Sequence, residues 1–141
     1  MKKLSLIAFI LICFSAFAQS GIPTNVQNTF KQLYPNAGNV AWSEEQGFYI
    51  AAFSNNNTPT KLLIDPKGAV LHTSVKIAPS DLPAVSSSFI TANYPGQTVS
   101  DAQKLTMKSN FIRYEAIVGG KDLIFDSDGK FIHTVSGPIK Q

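Results

Sequence analysis

Two stretches of this chain decide how it is built: Ile22-Pro23-Thr24-Asn25-Val26-Gln27-Asn28-Thr29-Phe30-Lys31-Gln32-Leu33-Tyr34-Pro35, and Leu82-Pro83-Ala84-Val85-Ser86-Ser87-Ser88-Phe89-Ile90-Thr91-Ala92-Asn93-Tyr94-Pro95. Both open on an aliphatic residue and proline, close on Tyr-Pro, and lie 60 residues apart. In the first, Val26, Phe30, Leu33 and Tyr34 recur at helical spacing among polar residues; in the second, Val85, Phe89, Ile90 and Tyr94 form the stripe. Pro23 and Pro83 suit a first turn, where a missing N–H costs little. Asp81 is placed to cap the second helix. The residue before a proline is pushed out of the α region, so both helices are expected to stop at Tyr34 and Tyr94.

The correspondence continues downstream. Tyr49-Ile50-Ala51 recurs as Tyr114-Glu115-Ala116, Leu62-Leu63-Ile64-Asp65 as Leu123-Ile124-Phe125-Asp126, and Leu71-His72-Thr73 as Ile132-His133-Thr134. Internal self-similarity at a fixed period marks a duplicated supersecondary unit. After each helix come short β-prone runs divided by turn residues. Strands are expected near Asn39–Glu44, Phe48–Ser54, Thr60–Ile64 and Ala69–Val75, then near Thr98–Leu105, Phe111–Val118, Asp122–Phe125 and Phe131–Val135. Consecutive strands on tight turns make an antiparallel meander. The expected fold is therefore α+β, with two tandem helix-plus-four-strand units, residues 22–77 and 80–137, sharing one cooperative domain over 19–141. Alternation along the strands puts Tyr49, Ala51, Phe53, Leu62 and Ile64 on one face, matched by Tyr114, Ala116, Val118, Leu123 and Phe125. These should pack under the helices against Phe30, Leu33, Val85 and Phe89.

The first 18 residues read as a secretory signal: Lys2-Lys3, the apolar run Leu4–Phe14, then Ala16-Phe17-Ala18. The run is too short for a comfortable span of about 20 residues. Cys13, preceded by bulky Ile12 inside the run, is read as a passenger and not as a lipidation site. Cleavage near Ala18 removes the chain's single cysteine, and with it disulfides and thiolate chemistry. It also removes Lys2 and Lys3, bringing the formal +3 close to neutral, so no electrostatic footprint for nucleic acid remains. The mature chain is expected in the periplasm or outside the cell, with no membrane span.

The helix ending in Tyr34-Pro35-Asn36-Ala37, then Trp42, Gly47-Phe48-Tyr49, Ala51-Ala52-Phe53 and Asp65-Pro66-Lys67-Gly68 carry a resemblance. Leu82-Pro83, Tyr94-Pro95, Tyr114-Glu115-Ala116 and Phe125-Asp126-Ser127-Asp128-Gly129 continue it. Behind a secretory signal, this pattern resembles the PepSY-like, β-lactamase-inhibitor-like envelope proteins of Bacteroidetes-type bacteria. The resemblance implies one curved antiparallel sheet with helices on one side, in a periplasmic or secreted protein that binds something, such as another protein. It offers no catalytic residues to carry over. The counterpart of Trp42, near Asp101 or Ala102, is not aromatic, which argues against two equivalent aromatic sites.

Each candidate site in the sequence also has a structural reading. Asp126-Ser127-Asp128-Gly129 looks like part of a calcium loop, but Lys130, Phe131 and Ile132 follow where further oxygen ligands belong. What it shares with Asp65-Pro66-Lys67-Gly68 is what a turn needs, a self-bonding side chain and a glycine. His72 and His133, the only histidines, lack zinc-site spacing and fit strand positions. The Ser86-Ser87-Ser88 run lies in no nucleophile elbow. Adjacent Glu44 and Glu45 point to opposite faces, a poor glycosidase pair, and Gly119-Gly120 reads as a turn. No catalytic, cofactor or metal site is therefore expected.

One strand is apolar on both sides: Phe48, Ile50 and Ala52 alternate with the core set. Its counterpart offers Phe111, Arg113, Glu115 and Ile117. If helices cover one side only, Phe48, Ile50, Phe111 and Arg113 form a candidate face for another envelope or extracellular protein or peptide. A structural or oligomerising role, or a hydrolase assembled from distant residues, are the alternatives.

Overall fold

The computed structural model describes residues 21–135, so the signal reading over 1–18 lies outside the described residues. Helix α1 spans Thr24–Leu33, followed by strands β1 Ala41–Glu45, β2 Phe48–Asn55, β3 Thr58–Ile64 and β4 Val70–Lys76. A 3₁₀ turn, Pro79–Asp81, leads into helix α2, Ala84–Asn93. Strands β5 Val99–Met107, β6 Ile112–Val118, β7 Lys121–Phe125 and β8 Phe131–Val135 complete the fold. Among the described residues, eight strands form a single open sheet in sequence order, each antiparallel to its neighbours. The class is α+β, mostly sheet.

The helices start and stop for local steric reasons. Each begins one residue later than expected: Pro23 and Pro83 are the N-caps, and their carbonyls accept the first helical bonds, from Gln27 N–H and Ser87 N–H, both at 3.1 Å. Asp81 is not the cap of α2; it closes the preceding 3₁₀ turn, and neither helix has a side-chain cap. The Gln27 side-chain amide donates to the Ile22 carbonyl at 2.9 Å, tying the first turn to the segment before it. Tyr34 and Tyr94 leave helical geometry immediately before their prolines. Three hairpins turn on two residues with positive φ, Gln46-Gly47, Asn56-Asn57 and Gly119-Gly120, the type I′ geometry that matches strand twist.

Strand register fixes the two faces. Trp42, Ala51, Leu62 and Thr73 form one row, and Ala102, Ala116, Leu123 and Thr134 another. Val75 of the first half lies opposite Lys104 of the second, which places both rows on the same side of the sheet. One core cluster joins Val26 and Phe30 to Ala51, Phe53, Leu62 and Ile64. A separate one joins Leu82 and Ile90 to Ala102, Ala116, Val118, Leu123 and Phe125. Both helices therefore cover that one side. Tyr49 and Tyr114 are partly buried at matching places, opposite Ile64 and Phe125.

Two expected core residues are not in the core. Leu33 is 53 % exposed and Val85 51 % exposed. The inward helical line is Val26, Phe30 and Tyr34, matched by Ser86, Ile90 and Tyr94. Val85 lies about 100° around the helix from Ser86 and so turns to solvent. Ser86 is completely buried because its hydroxyl has a partner, the carbonyl of Gly129 at 3.1 Å.

Candidate functional site

The side of the sheet opposite the helices carries the candidate face. On β2, Phe48 and Ile50 project there, opposite Glu45 and Ser43 of β1. Ile50 lies across from Leu63, Leu63 from His72, and His72 from Met107. Met107 N–H then donates to the Phe111 carbonyl at 2.9 Å. A single cross-strand row thus links the two places where the sequence put candidate residues. Phe48 is 38 % exposed at one end and Phe111 71 % exposed at the other, with Ile50, Leu63, His72 and Met107 half-buried between.

Arg113 is exposed in the adjoining row, which runs Ala52, Lys61, Ser74, Leu105, Arg113. Phe111 itself precedes β6, in the β5–β6 connection, so it stands at the margin of the face and not on a strand. Sequence reasoning missed Leu63, Met107 and Leu105. The Leu62-Leu63 doublet was the available signal, since adjacent strand residues point to opposite sides and one of the pair must leave the helix-covered core.

Beyond Arg113 the face becomes polar. Glu115 lies between Gln103 and Ile124. Burial pushes its carboxyl above the ordinary range; Asp122 and, less strongly, Asp101 add to that rise, while Lys61 opposes it. Lys76 Nζ sits 3.1 Å from Asp101 Oδ1, an ion pair out of line for a hydrogen bond, and that oxygen is shielded from solvent. The His72 imidazole is pushed below its ordinary value by burial. His133 is exposed on the same face, opposite Ile124, four strands away on β8.

The turn acids have local duties. Asp65 Oδ1 accepts from Lys67 N–H at 2.9 Å and Ala69 N–H at 2.8 Å. Asp126 Oδ1 accepts from Asp128 N–H at 3.0 Å and Lys130 N–H at 2.8 Å. Glu44 and Glu45 fall on opposite faces. Among the described residues no group of three or more His, Cys, Asp or Glu side chains could hold a metal, and no helix is long and apolar enough to cross a membrane.

A concavity lies off this face, at the β1 edge. It is a cleft of about 450 Å³ lined by Phe30, Lys31, Tyr34, Ala37, Val40 and Trp42, among others. Trp42 meets the Phe30 ring edge-on at 5.4 Å. Its place opposite Ala51 is taken in the second half by Ala102 opposite Ala116, so the cleft has no aromatic twin.

With this geometry established, solved structures give the fold its relatives. A DUF2874 family protein from Bacteroides ovatus is 25 % identical, with a TM-score of 0.71 over 80 % of this chain and 86 % of that one. A candidate periplasmic protein from Bacteroides eggerthii is 20 % identical, with a TM-score of 0.73 over 80 % and 87 %. A BLIP-like protein from Bacteroides fragilis is 22 % identical, with a TM-score of 0.64 over 80 % and 84 %. The fold is that of the DUF2874 and BLIP-like proteins. No family model and no curated protein matches the chain.

Proposed function

We propose that this chain is an exported, non-enzymatic binding module of the PepSY-like kind, built of two tandem units over residues 22–77 and 80–137. Its helix-free sheet face would dock another envelope or extracellular protein or peptide through Phe48, Ile50, Phe111 and Arg113. The observation that carries this reading is the row Ile50, Leu63, His72, Met107, flanked by exposed Phe48 and Phe111, on the face opposite both helix-packed clusters. A mainly apolar strip rimmed by Arg and mixed charges has the make-up of a protein-binding surface. The helix, four strands, helix, four strands order, with matched turns at Asp65 and Asp126, supports the tandem reading. A periplasmic or secreted home is supported by the signal pattern of residues 1–18 and by the relative from Bacteroides eggerthii. An inhibitor-like role is supported by the relative from Bacteroides fragilis.

The test uses immobilised mature protein and a folded Phe48→Ser, Ile50→Ser variant, each exposed to envelope extract. The reading expects a partner recovered by the parent and lost by the variant. It also expects slowed amide exchange in residues 48–55 and 111–118 on binding. Equal recovery by both proteins removes the face from consideration.

A further inference from the structure

Among the described residues the sheet ends at two edges, β1 and β8, and the chain itself shows how such edges join. Most neighbouring strands meet across short turns. The exception is β4 with β5, which are separated by α2 and pair His72–Lys76 against Gln103–Met107. The β4 main chain runs on past the strand: Ile77 N–H donates to the Ala102 carbonyl at 3.0 Å. The Ile77 side chain packs against the cluster of Leu82, Ile90 and Ala102.

Both partners in that joint have counterparts with a free side. Trp42 of β1 lies opposite Ala51 as Ala102 of β5 lies opposite Ala116, so β1 stands where β5 stands. The register shift of β4 at Leu63/Ile64 recurs for β8 at Ile124/Phe125, so β8 stands where β4 stands. Among the described residues, nothing pairs with the outer edges of β1 and β8. The cleft beside Phe30, Tyr34 and Trp42 corresponds to the place in the other half where Ile77 packs against the cluster that holds Ile90 and Ala102. β8 is also unguarded: Phe131 and Ile132 are exposed and no proline interrupts the strand.

We propose that β8 of one copy adds to β1 of the next, head to tail, in the register of the β4–β5 joint within the chain. Transferring that register sets Val135 opposite Glu45 and carries residues 136–138 along Glu44 to Trp42. Pro138 then takes the place of Ile77 in the aromatic cleft; having no N–H, it fills the cleft without repeating the Ile77 hydrogen bond. Residues 136–141 lie outside the described residues; they are the committed occupant, contributed by a second copy. β1 is shorter than β5 because Gln46 and Gly47 turn with φ of 52° and 82°, so the joint is small and the association transient. A head-to-tail contact leaves one free edge at each end, so growth does not stop at two chains unless the rotation closes a ring.

The test is sedimentation of the mature chain, residues 19–141, over a wide concentration series, beside two variants. One ends at Val135 and lacks the occupant. The other is Glu44→Pro, which blocks the β1 edge. The parent should rise in mass with concentration beyond a dimer. Each variant alone should stay monomeric. An equimolar mixture should form a one-to-one dimer, because each supplies the edge the other lacks, and the emission of Trp42, the only tryptophan, should shift to the blue on mixing. A parent that is monomeric throughout, or a shortened variant that associates as the parent does, overturns the proposal. Should Glu44→Pro fail to fold, the shortened variant decides alone.

Discussion

The Ser86 hydroxyl, fully buried in α2, donates to the carbonyl of Gly129 at 3.1 Å and so ties the helix to the β7–β8 turn. The first half makes the same tie from a different place: Thr29, on the next turn along α1, donates to the Gly68 carbonyl at 2.8 Å. The glycines are needed for both backbone angle and closeness. Gly129 has φ +83°, and a Cβ there would come within 2.6 Å of Pro83 Cβ and 2.8 Å of Ser86 Oγ. Gly68 is looser, its nearest neighbour being Thr29 Oγ1 at 3.1 Å. Gly129→Ala should cost about 3 kcal/mol, from overpacking added to a left-handed backbone. Gly68→Ala should cost less, and Ser86→Ala about 1 kcal/mol. Urea midpoints at constant slope measure all three; a Gly68→Ala loss equal to that of Gly129→Ala would contradict the closeness argument.

The helix face offers a sharper contrast. Ile90→Ala, in the core, should cost about 2–5 kcal/mol. Val85→Ser and Leu33→Ser, at half-exposed positions, should each shift stability by about 0.5 kcal/mol or less. Thermal melts of the three variants would show it, and a large loss in Val85→Ser would mean that this side chain is covered.

Asp65 and Asp126 each hold two backbone N–H groups with one oxygen. Replacing either by Ala should cost about 2 kcal/mol, and by Asn clearly less, since an amide oxygen still accepts. Calcium titration followed by melting temperature tests the turn role against the metal reading. A rise in melting temperature with calcium that vanishes in Asp126→Asn would favour a bound ion.

Two groups on the sheet face opposite α1 and α2 tie stability to pH with opposite signs. The Glu115 carboxyl is raised in the fold by burial first, then by Asp122, so the folded chain holds this proton longer than the unfolded one. Its contribution is present at acid pH and is lost as pH rises above the ordinary carboxylate range through the raised value. The His72 imidazole is lowered by burial, so the unfolded chain binds that proton first. Its contribution is full at neutral pH and falls as pH drops below the ordinary histidine value toward the lowered one. Glu115→Gln should therefore stabilise the protein at neutral pH more than at acid pH, and His72→Gln should flatten the loss between neutral and mildly acid pH. Denaturant titrations across that range, parent against each variant, measure both slopes.

The amino-acid sequence by itself determined what local sterics control. Tyr-Pro pairs stopped both helices, positive-φ residues made the two-residue hairpins, and period-two alternation placed Tyr49, Ala51 and Phe53 on the helix side. These follow from rules that act within a few residues. Only the tertiary structure decided which helical line faces inward. Val85 is the more apolar residue, yet Ser86 is buried, because a hydroxyl can satisfy a carbonyl that arrives from 43 residues away. It likewise decided that Ile50, Leu63, His72 and Met107 share one row, since cross-strand neighbours depend on register between four strands and not on spacing along any one of them.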